Sequence, residues 1–133
     1  MKLPHKTIKI GYQTYKIEVW SSTQASSNEA YGEFFQKDKA IGIDGREEGA
    51  SAANTILHEI MHGVVYQWGL TEEFSDEKEE RIVNSMVNGF TQVLVDNTWL
   101  MPWLEEQIKN DPNVDPKPIP HPKKKRPRPR SGK

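Results

Sequence analysis

The chain has 133 residues, of which 35% are hydrophobic and 28% charged, and its formal net charge is −1. This composition is typical of a single globular domain with its own hydrophobic core. The sequence contains no cysteine, which excludes disulfide bonds, a thiol nucleophile and cysteine-ligated zinc, so any metal must rely on His, Asp and Glu. No run of apolar residues is long enough to span a membrane, and the N-terminal residues lack the uninterrupted apolar stretch of a secretory signal. We therefore expect a soluble, cytoplasmic protein.

The first third of the sequence predicts a small, largely antiparallel sheet. Four short segments have the composition or alternation of strands, namely Thr7–Ile10, Thr14–Trp20, Tyr31–Phe35 and Ala40–Ile43. Gly11–Gln13 is a plausible hairpin turn between the first two, whereas the polar residues Ser21–Asn28 suggest a loop. Because these strands precede the helical part of the chain, the predicted fold class is α+β.

A strongly periodic helix is predicted next. Apolar residues recur at helical spacing from Ala53 to Trp68, with Ser51 as the expected N-cap and Gly69 as the stop signal. A second amphipathic helix is expected from just after Ser75 to about Asn97. A short third helix is predicted within residues 99–108, opening at Pro102.

A metal-binding motif lies inside the first predicted helix. Its sequence TILHEIMHG places His58 and His62 four residues apart, so both rings project from one helix face. Glu59, one helical position away, is suited to take a proton from water that the metal activates. Zinc fits such a site because it accepts imidazole ligands and lowers the pKa of water to about 7. These residues predict a hydrolytic Zn²⁺ centre.

Two neighbouring glutamates are candidates for the third protein ligand of this centre. A hydrolytic zinc site normally has three protein ligands, and the remaining histidines, His5 and His121, lie near the two ends of the chain. Glu79 or Glu80 could enter the site if the second helix packs antiparallel to the first. Helical periodicity alone does not choose between them.

The sequence HEIMH, followed about twenty residues later by a glutamate in the next helix, resembles the compact gluzincin branch of the zincin metallopeptidases. It is similar to ImmA/IrrE-like domains and to minimal metallopeptidases of bacteriophages, in which the ligand Glu precedes an Ala-Asn pair by three positions. Here Glu80 stands three positions before Val83-Asn84, with Val in place of Ala.

This resemblance implies a zinc peptidase of a bacterial or phage-infected cell, cutting peptide or protein substrates. Its implied metal ligands are His58, His62 and Glu80, and Glu59 would be the general base and then the general acid. It also implies that Ala40–Ile43 is the edge strand lining the substrate cleft, to which an extended peptide could add as a further strand. Tyr31 and Tyr66 are candidate oxyanion donors, although both are also suited to packing.

The predicted metallopeptidase domain covers residues 1–110, and residues 111–133 are predicted to be a disordered tail. Eight of the eighteen Lys and Arg residues lie between Lys117 and Lys133, among prolines. Such a tail could contact nucleic acid nonspecifically. An alternative function is therefore a nucleic-acid-associated interaction protein with a purely structural metal, and another is a hydrolase of non-peptide bonds. The presence of Glu59 argues against the structural reading, because a structural metal needs no base.

Overall fold

Residues 1–113, which the computed structural model describes, form one four-stranded sheet and four α-helices, so the predicted α+β class is confirmed. A short 3-10 helix, Thr71–Glu73, connects the second and third α-helices. In chain order the elements are β1 (Thr7–Ile10), β2 (Gln13–Trp20), α1 (Ser22–Asn28), β3 (Gly32–Phe35), β4 (Ala40–Asp44), α2 (Gly49–Gln67), α3 (Asp76–Asp96) and α4 (Leu100–Asn110).

The sheet is mixed, with the strand order β1-β2-β4-β3. The predicted hairpin of β1 and β2 is present, and Gly11 in its turn has a φ of 63°, which glycine adopts without strain. β3 and β4 are also antiparallel, but β2 and β4 run parallel. The expectation of a largely antiparallel sheet is therefore wrong for the central pair, because α1 and β3 return the chain before β4 enters beside β2.

β4 lies in the middle of the sheet and all five of its residues are buried. The expectation that Ala40–Ile43 forms the edge strand is therefore wrong, and β3 is the edge strand on this side. The physical reason is that Asp44, the last residue of β4, is the only one with a polar side chain. Such a composition is typical of strands that are buried on both faces of a sheet. Gly42 admits the ring of Trp20, since a Cβ at this position would lie 2.2 Å from Trp20 Cζ2.

The segment predicted to be a loop after β2 is the helix α1, which corrects the expectation for Ser21–Asn28. The Ser21 hydroxyl caps this helix by accepting a hydrogen bond of 3.1 Å from the Gln24 backbone N–H. Glu29 ends it in the left-handed conformation with a φ of 53°. Ala25 is its only buried residue, which is why apolar periodicity does not reveal it.

The helix α2 begins at Gly49, two residues before the expected N-cap, so the assignment of Ser51 as the cap is wrong. Glu48 occupies the cap position without a side-chain hydrogen bond. Ser51 instead lies in the first turn, where its hydroxyl donates to Glu47 Oε1 over 2.9 Å. The predicted stop is confirmed, since α2 ends at Gln67 and Gly69 has a φ of 75°.

Two apolar clusters hold α2 in place, one against the sheet and one against α3. The antiparallel arrangement of α2 and α3 follows from their contacts, because Asn54 near the start of α2 reaches Asn88 in α3, whereas His62 near its end reaches Glu79. The first cluster contains Ile10, Tyr15, Ile41 and Ile43 with Ile56, Ile60 and Val64 of α2. The second contains Val65, Val83 and Val87 with Leu57 and Met61.

Backbone contacts divide the chain into two units, Met1–Val93 and a second that begins at Leu94. The third predicted helix is present as α4 in the second unit, but it starts at Leu100 rather than at Pro102. Pro102 lies in its first turn, where the missing N–H is not required. None of the helices within residues 1–113 is both long and apolar enough to cross a bilayer. The predicted disordered tail lies, apart from 111–113, outside the described residues.

Candidate metal centre

The two motif histidines meet on one face of α2, as their spacing predicts. Their ring centroids are 4.9 Å apart, and His58 Nε2 lies 3.2 Å from His62 Nε2. Both side chains are largely buried, with about 15% of their surface exposed. The helix thus presents two imidazole nitrogens to a single point at the border of the hydrophobic core.

α3 brings a carboxylate to the same point. Glu80 Oε2 lies 2.9 Å from His58 Nε2, and Glu80 Oε1 lies 2.9 Å from His62 Nε2. The Glu80 side chain is 58% exposed, so the cluster has one open side. The antiparallel packing of α2 and α3 therefore brings Glu80 to His58 and His62, which precede it in the sequence by 22 and 18 positions.

Glu79 contacts the other nitrogen of His62. Its Oε2 atom lies 2.7 Å from His62 Nδ1, and only 15% of each of these side chains is exposed. When His62 Nδ1 carries the ring proton, its N–H donates a hydrogen bond to the Glu79 carboxylate. The ring's other nitrogen, Nε2, then has a free lone pair that faces Glu80 and His58. The two candidate ligands thus occupy different places, with Glu80 in the cluster and Glu79 behind His62.

The cluster has the size and donor set that a metal ion requires. Three ligands at the zinc distances of about 2.0–2.1 Å in a tetrahedral arrangement would be about 3.3 Å apart. Here the two imidazole nitrogens are 3.2 Å apart, and each lies 2.9 Å from a different oxygen of Glu80. One ligand atom from each residue can be chosen so that all three lie within 4.8 Å of one another. Burial lowers the pKa of His58, which keeps its ring neutral and able to donate a lone pair. The His/His/Glu cluster could therefore bind a metal ion.

Glu59 is a buried carboxylate beside this cluster. It is only 6% exposed, and its carboxylate makes no hydrogen bond to any residue within 1–113. Burial raises its pKa to about 7; nearby His62 opposes this shift, whereas Glu80 and Glu33 add to it. Gly32 leaves room for this group, because a Cβ on Gly32 would lie 3.1 Å from Glu59 Oε2.

An open groove with a volume of about 540 Å³ runs past these residues. His58, Glu59, His62, Glu79 and Glu80 all line it, and the edge strand β3 forms part of its wall. Sequence analysis did not identify the β3 residues Gly32 and Glu33 as part of the site. No sequence pattern shows which residues of a strand will lie beside a helix that is distant in the chain.

The two tyrosines considered as oxyanion donors lie in different surroundings. Tyr66 lines the groove, with its ring 6.2 Å from that of Phe34. Tyr31 is 68% exposed at the start of the segment that leads into β3. Of the two, Tyr66 has the position that contact with a molecule in the groove requires.

Comparisons of the chain with protein-family models, with curated proteins and with solved structures give no match. The resemblance to compact gluzincins therefore stays a prediction from the HEIMH sequence and its following glutamate.

Proposed function

We propose that this protein is a zinc-dependent peptidase. The observation that carries the proposal is the position of Glu59, a buried carboxylate without a hydrogen-bond partner among residues 1–113, beside a cluster of two histidines and Glu80. Burying an unpaired carboxylate is costly, and a purely structural metal site gains nothing from it. A hydrolytic site needs such a group as its base.

His58, His62 and Glu80 would hold the ion, and Glu79 would orient His62 through its Nδ1 atom. Two imidazoles and a carboxylate form a ligand set that suits zinc and leaves coordination positions open to water and substrate. Bound Zn²⁺ supplies a Lewis acid that polarises a carbonyl group and lowers the pKa of water to about 7.

Glu59 would move the proton during hydrolysis. Its carboxylate oxygen accepts a proton from the attacking water, and the same oxygen then gives that proton to the nitrogen of the departing amine. Burial raises the pKa of Glu59 to about 7 in the metal-free chain. A divalent ion bound beside it would favour the ionised carboxylate, which is the form that accepts a proton. The chain thus needs no second acid for the overall reaction.

The edge strand β3 would bind the peptide backbone. Tyr31 and Asp44 are joined by a backbone hydrogen bond of 2.7 Å, and the register continues with Gly32 opposite Ile43 and Glu33 opposite Gly42. Because antiparallel pairs alternate, the N–H and C=O groups of Gly32 point away from β4. An extended substrate could pair with them in the groove.

The proposal is tested with the full-length, zinc-loaded protein and a mixture of unstructured peptides. We expect cleavage by the wild type, and a loss of more than about 100-fold in kcat/KM for Glu59→Gln with zinc content unchanged. Glu18→Gln removes an exposed carboxylate from β2 and serves as the matched control with full activity. Full activity of Glu59→Gln, or zinc-loaded wild type that cleaves no peptide, would contradict the proposal.

A further inference from the structure

The groove is strongly acidic. Five carboxylates line it, namely Glu33, Glu59, Asp76, Glu79 and Glu80, whereas none of its described lining residues is Lys or Arg. When all are ionised, these carboxylates outnumber the two charges of a divalent ion by three. The groove thus remains negative even with a metal ion in the His/His/Glu cluster.

Two of these carboxylates have no task in the proposed reaction. The side chains of Glu33 and Asp76 are exposed, and neither makes a hydrogen bond or ion pair with another residue of the described part of the chain. Glu33 lies on β3, and Asp76 is the first residue of α3. They stand on different elements that both border the groove, so they are available to a ligand lying in it.

Two further features indicate that this acidic groove takes a ligand. Glu59 lines it with 6% of its surface exposed and without a hydrogen bond to any residue within 1–113. The alternation of the β3–β4 ladder also leaves the backbone groups of Gly32 and Phe34 facing outward along the groove wall. Unpaired strand groups bind an extended chain, and the surrounding carboxylates favour cations on that chain.

We infer that the groove selects extended peptides bearing Lys or Arg, and that Glu33 and Asp76 are its specificity-determining residues. This inference rests on the proposed peptidase function for its substrate class. A single exposed ion pair changes affinity by at most about fivefold, so two of them together give roughly a tenfold preference at low salt. Acidic peptides are disfavoured by repulsion from the same carboxylates.

The inference is tested by binding rather than by turnover. Full-length, zinc-loaded protein carrying Glu59→Gln is titrated into three fluorescein-labelled octapeptides that differ only in having Lys, Gln or Glu at alternate positions. At 50 mM NaCl we expect the Lys peptide to bind about tenfold more tightly than the Gln peptide, and the Glu peptide most weakly. At 300 mM NaCl the preference shrinks, because exposed charges are screened.

Variants locate the preference in the groove. Adding Glu33→Gln and Asp76→Asn should bring the Lys and Gln peptides to within about twofold of each other. Adding Glu18→Gln, which removes one exposed carboxylate from β2, should leave the preference intact. Changing Lys123, Lys124 and Lys125 to Gln removes three of the eight Lys and Arg residues between Lys117 and Lys133. Repeating the titration with this variant therefore reduces any competition of the chain's own basic sequence for the groove.

Equal binding of the Lys and Gln peptides, absence of binding, or an effect of Glu18→Gln as large as that of the groove variants would overturn the inference. Cleavage by the wild type without any charge preference would also overturn it, while leaving the peptidase proposal intact. Selective binding of the Lys peptide by a wild type that cleaves none of the three would instead contradict the peptidase proposal and support the selectivity of the groove.

Discussion

Glu79 and Glu80 are neighbours in sequence but reach different atoms of His62. Adjacent helical residues diverge by about 100°, so one carboxylate contacts Nδ1 at 2.7 Å while the other contacts Nε2 at 2.9 Å. A carboxylate on the far nitrogen fixes the ring's tautomer and orientation. In the proposed site Glu80 would therefore hold the ion and Glu79 would orient His62.

This division predicts unequal effects of two conservative substitutions on zinc affinity. Glu80→Gln removes a charged ligand, and we expect the dissociation constant for zinc to rise by more than about 100-fold. Glu79→Gln retains all three ligands and should raise it by about 10- to 100-fold. A competition titration with a chromophoric chelator measures both constants, and a larger effect for Glu79→Gln would reverse the assignment.

The buried carboxylate of Glu59 predicts a pH-dependent effect on stability. Its pKa is about 7 in the folded chain and 4.5 in the unfolded chain, so between these values the folded state binds more protons and stability falls as pH rises. Glu59→Gln removes this dependence. In the metal-free protein we expect the variant to gain about 3 kcal/mol relative to wild type between pH 4 and pH 8.

Urea denaturation in the presence of a chelator, at pH 4 and pH 8, measures this gain. Comparing the two proteins at each pH cancels the contribution of the other titrating groups. Glu18→Gln is the control, because its carboxylate is exposed on β2. If the difference in free energy of unfolding between Glu59→Gln and wild type were the same at both pH values, burial would not raise the pKa of Glu59.

At the residue scale, helical spacing predicted the histidine pair and the neighbouring Glu59, whereas only the family resemblance favoured Glu80 over Glu79 as the third member of the cluster. Helical spacing fixes the relative position of the His58 and His62 side chains, because both residues lie on the same helix, α2. The choice between Glu79 and Glu80 depends on how α3 is rotated about its own axis against α2. That rotation is set by the packing of Val83 and Val87, which the sequence of α3 alone does not determine.

At the scale of elements, the long periodic helices were predictable and the sheet order was not. α2 and α3 each carry apolar residues at helical spacing, which shows directly in the sequence. α2 packs this face against the sheet and α3, whereas α3 buries only Val83 and Val87. α1 is polar, and the available signal was its cap, since Ser21 stands three residues before Gln24. The buried position of β4 was also indicated, because Ala40–Ile43 lacks the polar alternation of an edge strand.

The close contact of Gly42 with Trp20 predicts that Gly42→Ala destabilises the sheet. The added Cβ would lie 2.2 Å from a ring that is itself only 3% exposed, so neighbouring strands must shift. We expect a loss of about 1–3 kcal/mol in the free energy of unfolding, measured by urea denaturation.

Gly89→Ala is the matched control for this substitution. Gly89 lies inside α3, and a Cβ there meets nothing within 4 Å. Alanine should therefore stabilise the protein by about 0.5–1 kcal/mol through its higher helix propensity. If Gly42→Ala were also neutral or stabilising, the packing of Trp20 across β4 would be refuted.

At the scale of the whole molecule, the His/His/Glu cluster depends on two packing interfaces at once. The sheet holds α2 through Ile41 and Ile43, and α2 in turn holds α3 through Val65. The His/His/Glu cluster forms where α2 and α3 meet, and the edge strand β3 borders the same groove. A metal bound only by the folded chain would therefore stabilise the folded state of the unit Met1–Val93.

The most direct test of the account is the zinc content of the full-length protein after saturation with zinc and removal of the excess by dialysis, measured by elemental analysis. We predict about one equivalent per chain for the wild type and for Glu18→Gln, and loss of the metal in His58→Ala and Glu80→Gln. Less than about half an equivalent in the wild type, or unchanged zinc in His58→Ala, would contradict the central claim that this cluster is a metal centre.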